Sequence, residues 1–273
     1  MNIIDKLNKR IDKANSLVCV GLDSAIEKIP THLQGEKYPQ FAFNKAIIDA
    51  TAEYVCAYKP NSAFYEARGE QGMRELKMTY EYLQQNYPDI VTILDAKRAD
   101  IGSTNEGYVI YSFDYLGSDA ITLHPYLGKE ALMPFLKRND KVSIILCKTS
   151  NPGSGELQDL RVNGMYLYEY VASEVASKWN ENNNCMLVVG ATYPEEMKKV
   201  RALAPYLTFL VPGIGAQGGD VEKTVKAGLD KQKRGMMINS SRGIIFASKG
   251  MDFAEKAANE AKKLRDEINL HRS

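Results

Sequence analysis

Eight short apolar runs recur along the chain, and stretches with a different polar pattern separate them. The runs lie at residues 17–23, 54–60, 90–97, 120–125, 142–150, 186–192, 208–215 and 235–243. Continuous rather than alternating apolar residues are typical of strands that are buried on both faces, as in parallel sheets. Between the runs, apolar residues recur near a 3.6-residue period, which predicts helices.

The eightfold alternation of strand and helix predicts an α/β fold, the parallel (β/α)8 or TIM barrel, with residues 1–273 as a single domain. An open, doubly wound sheet would also alternate in this way. The eight runs and the length of 273 residues favour the closed barrel. In such barrels the chemistry takes place at the carboxyl ends of the strands, so the residues after each run are the candidates for function.

Single charged residues close the first two runs. Asp23 ends the first run, and Lys59 stands near the end of the second, directly before a proline. Read alone, Asp23 also fits a helix cap or a turn, and Lys59 also fits a side chain that reaches solvent. Both become stronger candidates if a neighbouring strand end carries matching charges.

The third run ends in the segment "LDAKRADIGST", residues 94–104, which concentrates acids and bases where an apolar strand ends. Asp95 and Lys97 are two residues apart, so on an extended backbone their side chains share one face. That face is the one expected to line the mouth of the barrel. Asp100 lies three residues further on, beyond the predicted strand end. A charged surface turn is the alternative, but it does not explain a same-face acid and base at this position.

Three later strand ends offer groups that could bind a ligand. The loop "KTSNPGSGELQD" after the fifth run is polar and long enough to act as a lid, and Ser150 lies at the strand tip. "PGIGAQGGD" follows the seventh run, and "NSSRGIIF", with Arg242 and Gly243, follows the eighth. Glycine-rich turns before helices expose backbone N–H groups, and an arginine can pair with phosphate oxygens through two bonds. These two strand ends therefore predict a phosphate site.

Composition excludes several other classes of function. The formal net charge of +1 gives no basis for nucleic-acid binding, and no apolar run is long enough to span a membrane. The four cysteines lie in or beside apolar runs, which predicts buried free thiols and a cytoplasmic protein. The three histidines are scattered singly, so we expect no metal site.

The sequence resembles a known family, orotidine 5′-phosphate decarboxylase, in its longer bacterial (type 2) branch. Five segments carry the resemblance: "VGLD" (20–23), "YKPNSAFYEARG" (58–69), "LDAKRADIGST" (94–104), "VPGIGAQGGD" (211–220) and "NSSRGI" (239–244). They follow the family's order and span nearly the whole chain. The D-x-K-x-x-D element alone is shared with related sugar-phosphate enzymes, whereas its combination with the two phosphate motifs is specific.

The resemblance implies a role for each matching residue. Lys59, Asp95, Lys97 and Asp100 correspond to the charged catalytic network, and Asp100 is expected to serve the neighbouring subunit of a homodimer. Asp23 is expected to hold the ribose hydroxyls. The remaining expected substrate contacts are Ile101 and Thr104 from the neighbouring subunit, Ser150 at the pyrimidine (with Ser154 as the alternative), and Gln217, Gly218, Arg242 and Gly243 at the phosphate.

The implied reaction converts orotidine 5′-monophosphate to uridine 5′-monophosphate in de novo pyrimidine biosynthesis, without a cofactor or a metal. The alternative is a metal-dependent sugar-phosphate decarboxylase or aldolase of the same superfamily, which would hold an enediolate on a divalent cation. A phosphate-binding barrel without catalysis is a third hypothesis. The complete set of four charged residues argues against it, because binding alone does not require them.

Overall fold

The computed structural model describes residues 2–215 and 218–272, and its centre is a closed parallel barrel. Each of the eight predicted apolar runs overlaps one barrel strand, so the predicted fold class is confirmed. Around the barrel the strands follow the order β1-β10-β9-β8-β5-β4-β3-β2. The strands are β1 Val18–Leu22, β2 Ala57–Pro60, β3 Val91–Arg98, β4 Ala120–Leu123, β5 Val142–Lys148, β6 Arg161–Val162, β7 Met165–Tyr166, β8 Cys185–Val189, β9 Phe209–Pro212 and β10 Met236–Ser240.

Helices follow the barrel strands and cover their outer faces. The α-helices are α1 Ile3–Ala14, α2 Thr31–Gln34, α3 Pro39–Thr51, α4 Ala63–Glu66, α5 Gly69–Asn86, α6 Gly102–Val109, α7 Gly128–Leu136, α8 Gly155–Gln158, α9 Leu167–Glu174, α10 Pro194–Leu203, α11 Val221–Gly228, α12 Arg242–Ile245 and α13 Phe253–Arg272. Wider π-helical turns, Ile110–Tyr115 and Val175–Trp179, continue α6 and α9. Within the described ranges, no helix is both long and apolar enough to cross a membrane.

The strands are buried because helices cover the outside of the barrel and side chains fill its inside. All residues of β1, β2, β4, β8 and β10 are buried, as the continuous apolar runs predict. In β3, burial ends at Asp95, and the last three residues open toward solvent. The four cysteines are buried free thiols, as expected. Burial raises the pKa of Cys19 to about 12, so this thiol is not a ready nucleophile.

The first helix covers the amino ends of the strands and leaves the carboxyl ends open. In α1, Lys6 forms a 2.8 Å ion pair with Asp119, which directly precedes β4. Arg10 donates from Nε to the carbonyl of Val55, just before β2, at 2.9 Å. Since these contacts place α1 at the amino end of the barrel, a ligand can enter from the opposite end, which is the functional end of this fold.

A short hairpin was not anticipated from the sequence. Strands β6 and β7 pair in antiparallel fashion directly after the loop that follows β5. Each strand has only two residues, and the turn between them contains Asn163 and Gly164, both with positive φ. Two-residue turns of this composition are typical of hairpins, but strands this short give no periodicity to detect.

A half-buried arginine ties together the amino ends of two strands. Arg201 of α10 donates to the carbonyls of Leu207 at 2.7 Å, Gly228 at 2.6 Å and Gly235 at 2.7 Å. Leu207 precedes β9 and Gly235 directly precedes β10. The guanidinium also stacks on the ring of Phe209, 3.7 Å from its centroid. These contacts fix the amino ends of β9 and β10, which are the seventh and eighth strands of the barrel.

We expect Arg201→Met to destabilise the protein by about 3 kcal/mol, because several partly buried carbonyls lose their donor at once. Lys198→Met on the same helix is the matched control, since its ion pair with Glu195 is exposed and exposed pairs contribute little. Urea unfolding measures both variants. Equal stabilities for the two variants would contradict this role of Arg201.

Candidate active site

A cavity of about 470 Å³ opens at the carboxyl ends of the barrel strands. Residues from most of the strand ends line it, so it collects groups that are far apart in the sequence. Seven of the predicted site residues are among them: Asp23, Lys59, Asp95, Lys97, Ser150, Arg242 and Gly243. The cavity therefore lies at the strand ends where the sequence predicts the functional residues.

The Asp95 carboxylate is the centre of the polar network in this cavity. Its side chain is 9% exposed, and its two oxygens accept from Lys59 Nζ at 2.7 Å and Lys97 Nζ at 2.6 Å. Thr122 Oγ1 adds a third bond at 2.9 Å. A buried carboxylate is stable when charged donors replace the water that it lost, and here two ammonium groups do so.

The pKa values of Asp95 and Lys59 keep both of these groups charged. Burial favours the neutral acid, but the positive charges of Lys59 and Lys97 outweigh it and hold the pKa of Asp95 well below its usual value. Burial also disfavours the Lys59 ammonium, yet Asp95 and Asp23 outweigh this and raise the pKa of Lys59. The site thus presents fixed charges to whatever enters it.

Lys97 reaches Asp95 by a route that regular strand geometry does not provide. Its backbone has φ of 47°, in the left-handed region, and the pairing of β3 with β4 shifts register between Leu94 and Arg98. The N–H groups of Ala96 and Lys97 both donate to Thr122 Oγ1, at 3.1 and 3.0 Å. Asp95 and Lys97 are therefore in contact, as the same-face prediction implies. The backbone that joins them is a bulge and not the regular extended strand that was predicted. With half of its side chain exposed, Lys97 remains accessible to a ligand.

Asp23 lies beside this cluster with spare hydrogen-bonding capacity. Its Oδ1 lies 4.0 Å from Lys59 Nζ. Within the described part of the chain, this buried oxygen has no hydrogen-bond partner. A buried acceptor without a donor is costly, and a ligand hydroxyl group would satisfy it.

Glycine turns and an arginine form the opposite corner of the cavity. Gly213 and Gly215 have φ of 108° and 75°, values that side chains rarely adopt, so glycine is needed here. Gly213, Arg242 and Gly243 line the cavity, and the Arg242 backbone begins α12. Gly218 has φ of 81° and donates its N–H to Gly215, but it is not among the lining residues. Gln217 lies outside the described residues.

The β5 loop brings Ser150 to the cavity and places Ser154 away from it. Ser150 is a lining residue, and its backbone packs on Gly190, where any side chain would overlap it. Ser154 is buried, and its hydroxyl donates to Tyr193 Oη at 3.4 Å. Of the two serines left open by the sequence, the geometry therefore favours Ser150 as the ligand contact.

Besides Gly218, three predicted residues lie outside the cavity of this chain. Asp100 accepts from the N–H of Ile101 at 2.7 Å, and its own N–H donates to Asn105 at 2.8 Å. Ile101 is 62% exposed, and Thr104 is exposed on the first turn of α6. None of the three lines the cavity, so their service to a neighbouring subunit stays a prediction.

Sequence reasoning missed Thr122 and Asn239. Thr122 lies within the apolar run of β4 and supports both Asp95 and the bulge at Lys97. Asn239 lies near the end of β10, lines the cavity, and has a buried Oδ1 without a partner among the described residues. A polar residue inside an otherwise apolar strand was the available signal in both cases.

Comparison with known proteins decides the family. The sequence model of the orotidine 5′-phosphate decarboxylase / HUMPS family matches residues 16–257. The chain belongs to this family. The resemblance inferred from the five segments is thereby confirmed. The expectation that the protein is an enzyme of this family is confirmed as well.

Full-length relatives are similar throughout. Orotidine 5′-phosphate decarboxylase of Cellvibrio japonicus is 47% identical over 275 residues, covering 100% of both chains. The enzyme of the same name from Azoarcus sp. is 48% identical over 272 residues, again covering 100% of both. Among solved structures, Leishmania donovani OMP decarboxylase has a TM-score of 0.86 at 41% identity, covering 100% of this chain and 99% of that one.

We expect Thr122→Val to destabilise the protein by about 2–4 kcal/mol, because one hydroxyl serves a buried carboxylate and two backbone N–H groups. Thr122→Ser keeps the hydroxyl and is the control, with a smaller loss. Urea unfolding at neutral pH compares the two. If valine and serine were equally tolerated, Thr122 would not be supporting the bulge.

The charge cluster also predicts how stability depends on pH. Unfolded Asp95 gains a proton as the pH falls through about 4, whereas the folded carboxylate stays charged, so its contribution is lost only on the acid side. The contribution of Lys59 is complete below about pH 10.5 and declines above it, because the unfolded amine then loses its proton while the folded ammonium still keeps it. We expect the stability gap between wild type and Asp95→Asn to shrink as the pH falls below about 5, because the unfolded wild-type carboxylate then gains its proton. Urea unfolding between about pH 3 and 6 measures the gap, and a gap that does not shrink on the acid side would contradict the charged state assigned to Asp95.

Proposed function

We propose that this protein decarboxylates orotidine 5′-monophosphate to uridine 5′-monophosphate and carbon dioxide, the reaction of the decarboxylases that it resembles along its full length. The observation that carries the proposal is the Asp95 carboxylate holding two ammonium groups at the cavity, at 2.7 and 2.6 Å. The reaction belongs to pyrimidine biosynthesis. None of the similarities favours the metal-dependent alternative.

The reaction creates a charge that the site is suited to receive. Breaking the bond between the pyrimidine ring and its carboxylate leaves an electron pair on a ring carbon. We assign Lys97 two tasks: its ammonium stabilises this pair as it forms and then transfers one proton to the same carbon. The resulting neutral amine regains its proton from solvent, to which the half-exposed side chain has access.

Asp95 and Lys59 keep the Lys97 ammonium in place. Because Asp95 is shared between the two lysines, neither ammonium can turn away without leaving a buried carboxylate underpaired. Charges fixed before the substrate arrives need no reorganisation during the reaction, which is the main source of electrostatic catalysis. We assign Lys59 a second task with Asp23, the binding of the ribose hydroxyls, supported by the unsatisfied Asp23 oxygen.

We assign the phosphate of the substrate to the far corner of the cavity. We assign it to Arg242 and Gly243, together with Gln217 and Gly218, and we assign the pyrimidine to Ser150. Arg242 offers paired N–H donors that suit phosphate oxygens. Binding energy from this distant group can help to close the loop after β5 and to orient the reacting ring.

We also propose a homodimer in which Asp100, Ile101 and Thr104 complete the partner's site. Exposed apolar side chains on the segment that begins at Ile101 and in the loop after β4 support an interface there, because such side chains are unfavourable in water. They are Ile101, Ile110, Tyr115, Tyr126 and Leu127. The further expectations of one domain over residues 1–273, a cytoplasmic location and no nucleic-acid partner belong to the same proposal.

The test is an absorbance assay of orotidine 5′-monophosphate, run with and without EDTA. We expect wild-type activity that survives the chelator, whereas loss of activity with EDTA would indicate the metal-dependent alternative. Lys97→Ala should lower kcat by at least roughly 10⁴-fold, since it removes both the positive charge and the proton donor.

Two controls make this result specific. Lys97→Ala should still bind uridine 5′-monophosphate, which separates loss of chemistry from loss of folding. Lys198→Ala changes an exposed lysine on α10 and should keep wild-type kcat. Retained decarboxylation by Lys97→Ala would remove that residue from its assigned role.

A further inference from the structure

A buried lysine that the proposed chemistry does not use lies at the end of β5. The Lys148 side chain is 1% exposed, and its Nζ lies 2.6 Å from Asp159 Oδ1. The ammonium also lies 4.6 Å from the ring centroid of Tyr193 and 5.6 Å from that of Tyr168. Burying an ammonium is unfavourable unless charge and aromatic faces replace water, so its neighbours define this position closely.

An irregularity in β5 turns Lys148 away from the cavity. Leu146 pairs with Val188 and Lys148 with Val189, so β5 has one residue more than β8 over this stretch. Such a bulge re-aims the side chains that follow it. Leu146 lines the cavity, whereas Lys148 faces the two tyrosines on the outer side. The lysine therefore does not act on a ligand directly.

Its partner Asp159 lies at the far end of the loop that follows β5. A second bond pair sits directly beside the first: the N–H of Thr149 donates to Gln158 Oε1 at 2.9 Å, and Gln158 Nε2 donates to Thr149 Oγ1 at 2.8 Å. Two consecutive residues at the start of the loop thus bind two consecutive residues at its end. Residues 150–157 are closed into a loop with a fixed base.

The loop fixed in this way forms one wall of the candidate active site. Its residues Thr149, Ser150, Asn151 and Gln158 all line the cavity. Thr149 Oγ1 also donates to Asn151 Oδ1 at 2.7 Å, so the bond network at the base continues into the wall. Any shift of the base would therefore move the groups that face a bound ring.

We propose that Lys148 is a positioning residue: its ion pair with Asp159 fixes the base of the 149–158 loop and thereby places Ser150 and Asn151 over the substrate. This inference rests on the proposed function, since it concerns the wall of that same site. In this role Lys148 affects catalysis through Asp159 and the loop. If Lys148 contributed only to packing, its replacement would lower the stability of the protein and leave catalysis unchanged.

The experiment is a double-mutant cycle on Lys148→Met and Asp159→Asn. We expect each variant to lower kcat/KM for orotidine 5′-monophosphate by roughly 10- to 100-fold, because small misplacements of positioning groups are costly. The double variant should lose no more than the more impaired single variant, since both changes remove one interaction. Calorimetry should show that each variant binds uridine 5′-monophosphate more weakly than the wild type. The variant with the larger loss of kcat/KM should show the weaker binding.

Lys178→Met is the matched control. Lys178 forms a 2.7 Å ion pair with Glu174 on α9, but it is exposed and outside the loop. It should keep wild-type kcat/KM. If Lys148→Met does not fold, Asp159→Asn decides alone, because the Asp159 side chain is 46% exposed and its change leaves the packing intact.

The possible failures are distinguishable. Wild-type kcat/KM in both single variants, with only a lower melting temperature, would mean that Lys148 packs and does not position. Additive losses in the double variant would mean that the two residues do not act as a unit. A wild-type protein that releases no carbon dioxide from orotidine 5′-monophosphate would overturn the proposed function itself.

Discussion

The structure depends on one interaction, the sharing of the buried Asp95 carboxylate between two ammonium groups. Removing either lysine would leave a buried charge underpaired, and removing the carboxylate would leave the two ammonium groups to repel each other. The cluster is therefore stable only as a set. Because the barrel holds the set rigidly, the positive charge of Lys97 is available at the cavity before any ligand binds.

The barrel makes this cluster possible by bringing distant strand ends together. Lys59 from β2, Asp95 from β3 and Thr122 from β4 are neighbours only because those strands are adjacent in the closed sheet. Helix α1 covers the opposite end of the barrel. Arg201 fixes β9 and β10, the strands that lead into the glycine turns and Arg242. The stability of one end of the barrel thus supports the chemistry proposed at the other.

Much of this could be predicted from the sequence, because buried strands and their charged ends leave a local pattern. The eight strands, and the gathering of Asp95, Lys59 and Arg242 at one cavity, followed from that pattern. The left-handed backbone of Lys97 did not, since a bulge depends on the partner strand. Thr122 and Lys148 were missed because each lies within an apolar run, and only tertiary contacts reveal its role.

The most direct test of the central claim is a crystal structure of the protein with bound uridine 5′-monophosphate. We expect Lys97 Nζ at about 3–3.5 Å from the ring carbon that loses carbon dioxide, with Asp95 still bonded to both lysines and the phosphate beside Arg242. A pyrimidine ring bound away from Lys97, or an Asp95 carboxylate released from the two ammonium groups, would contradict that claim.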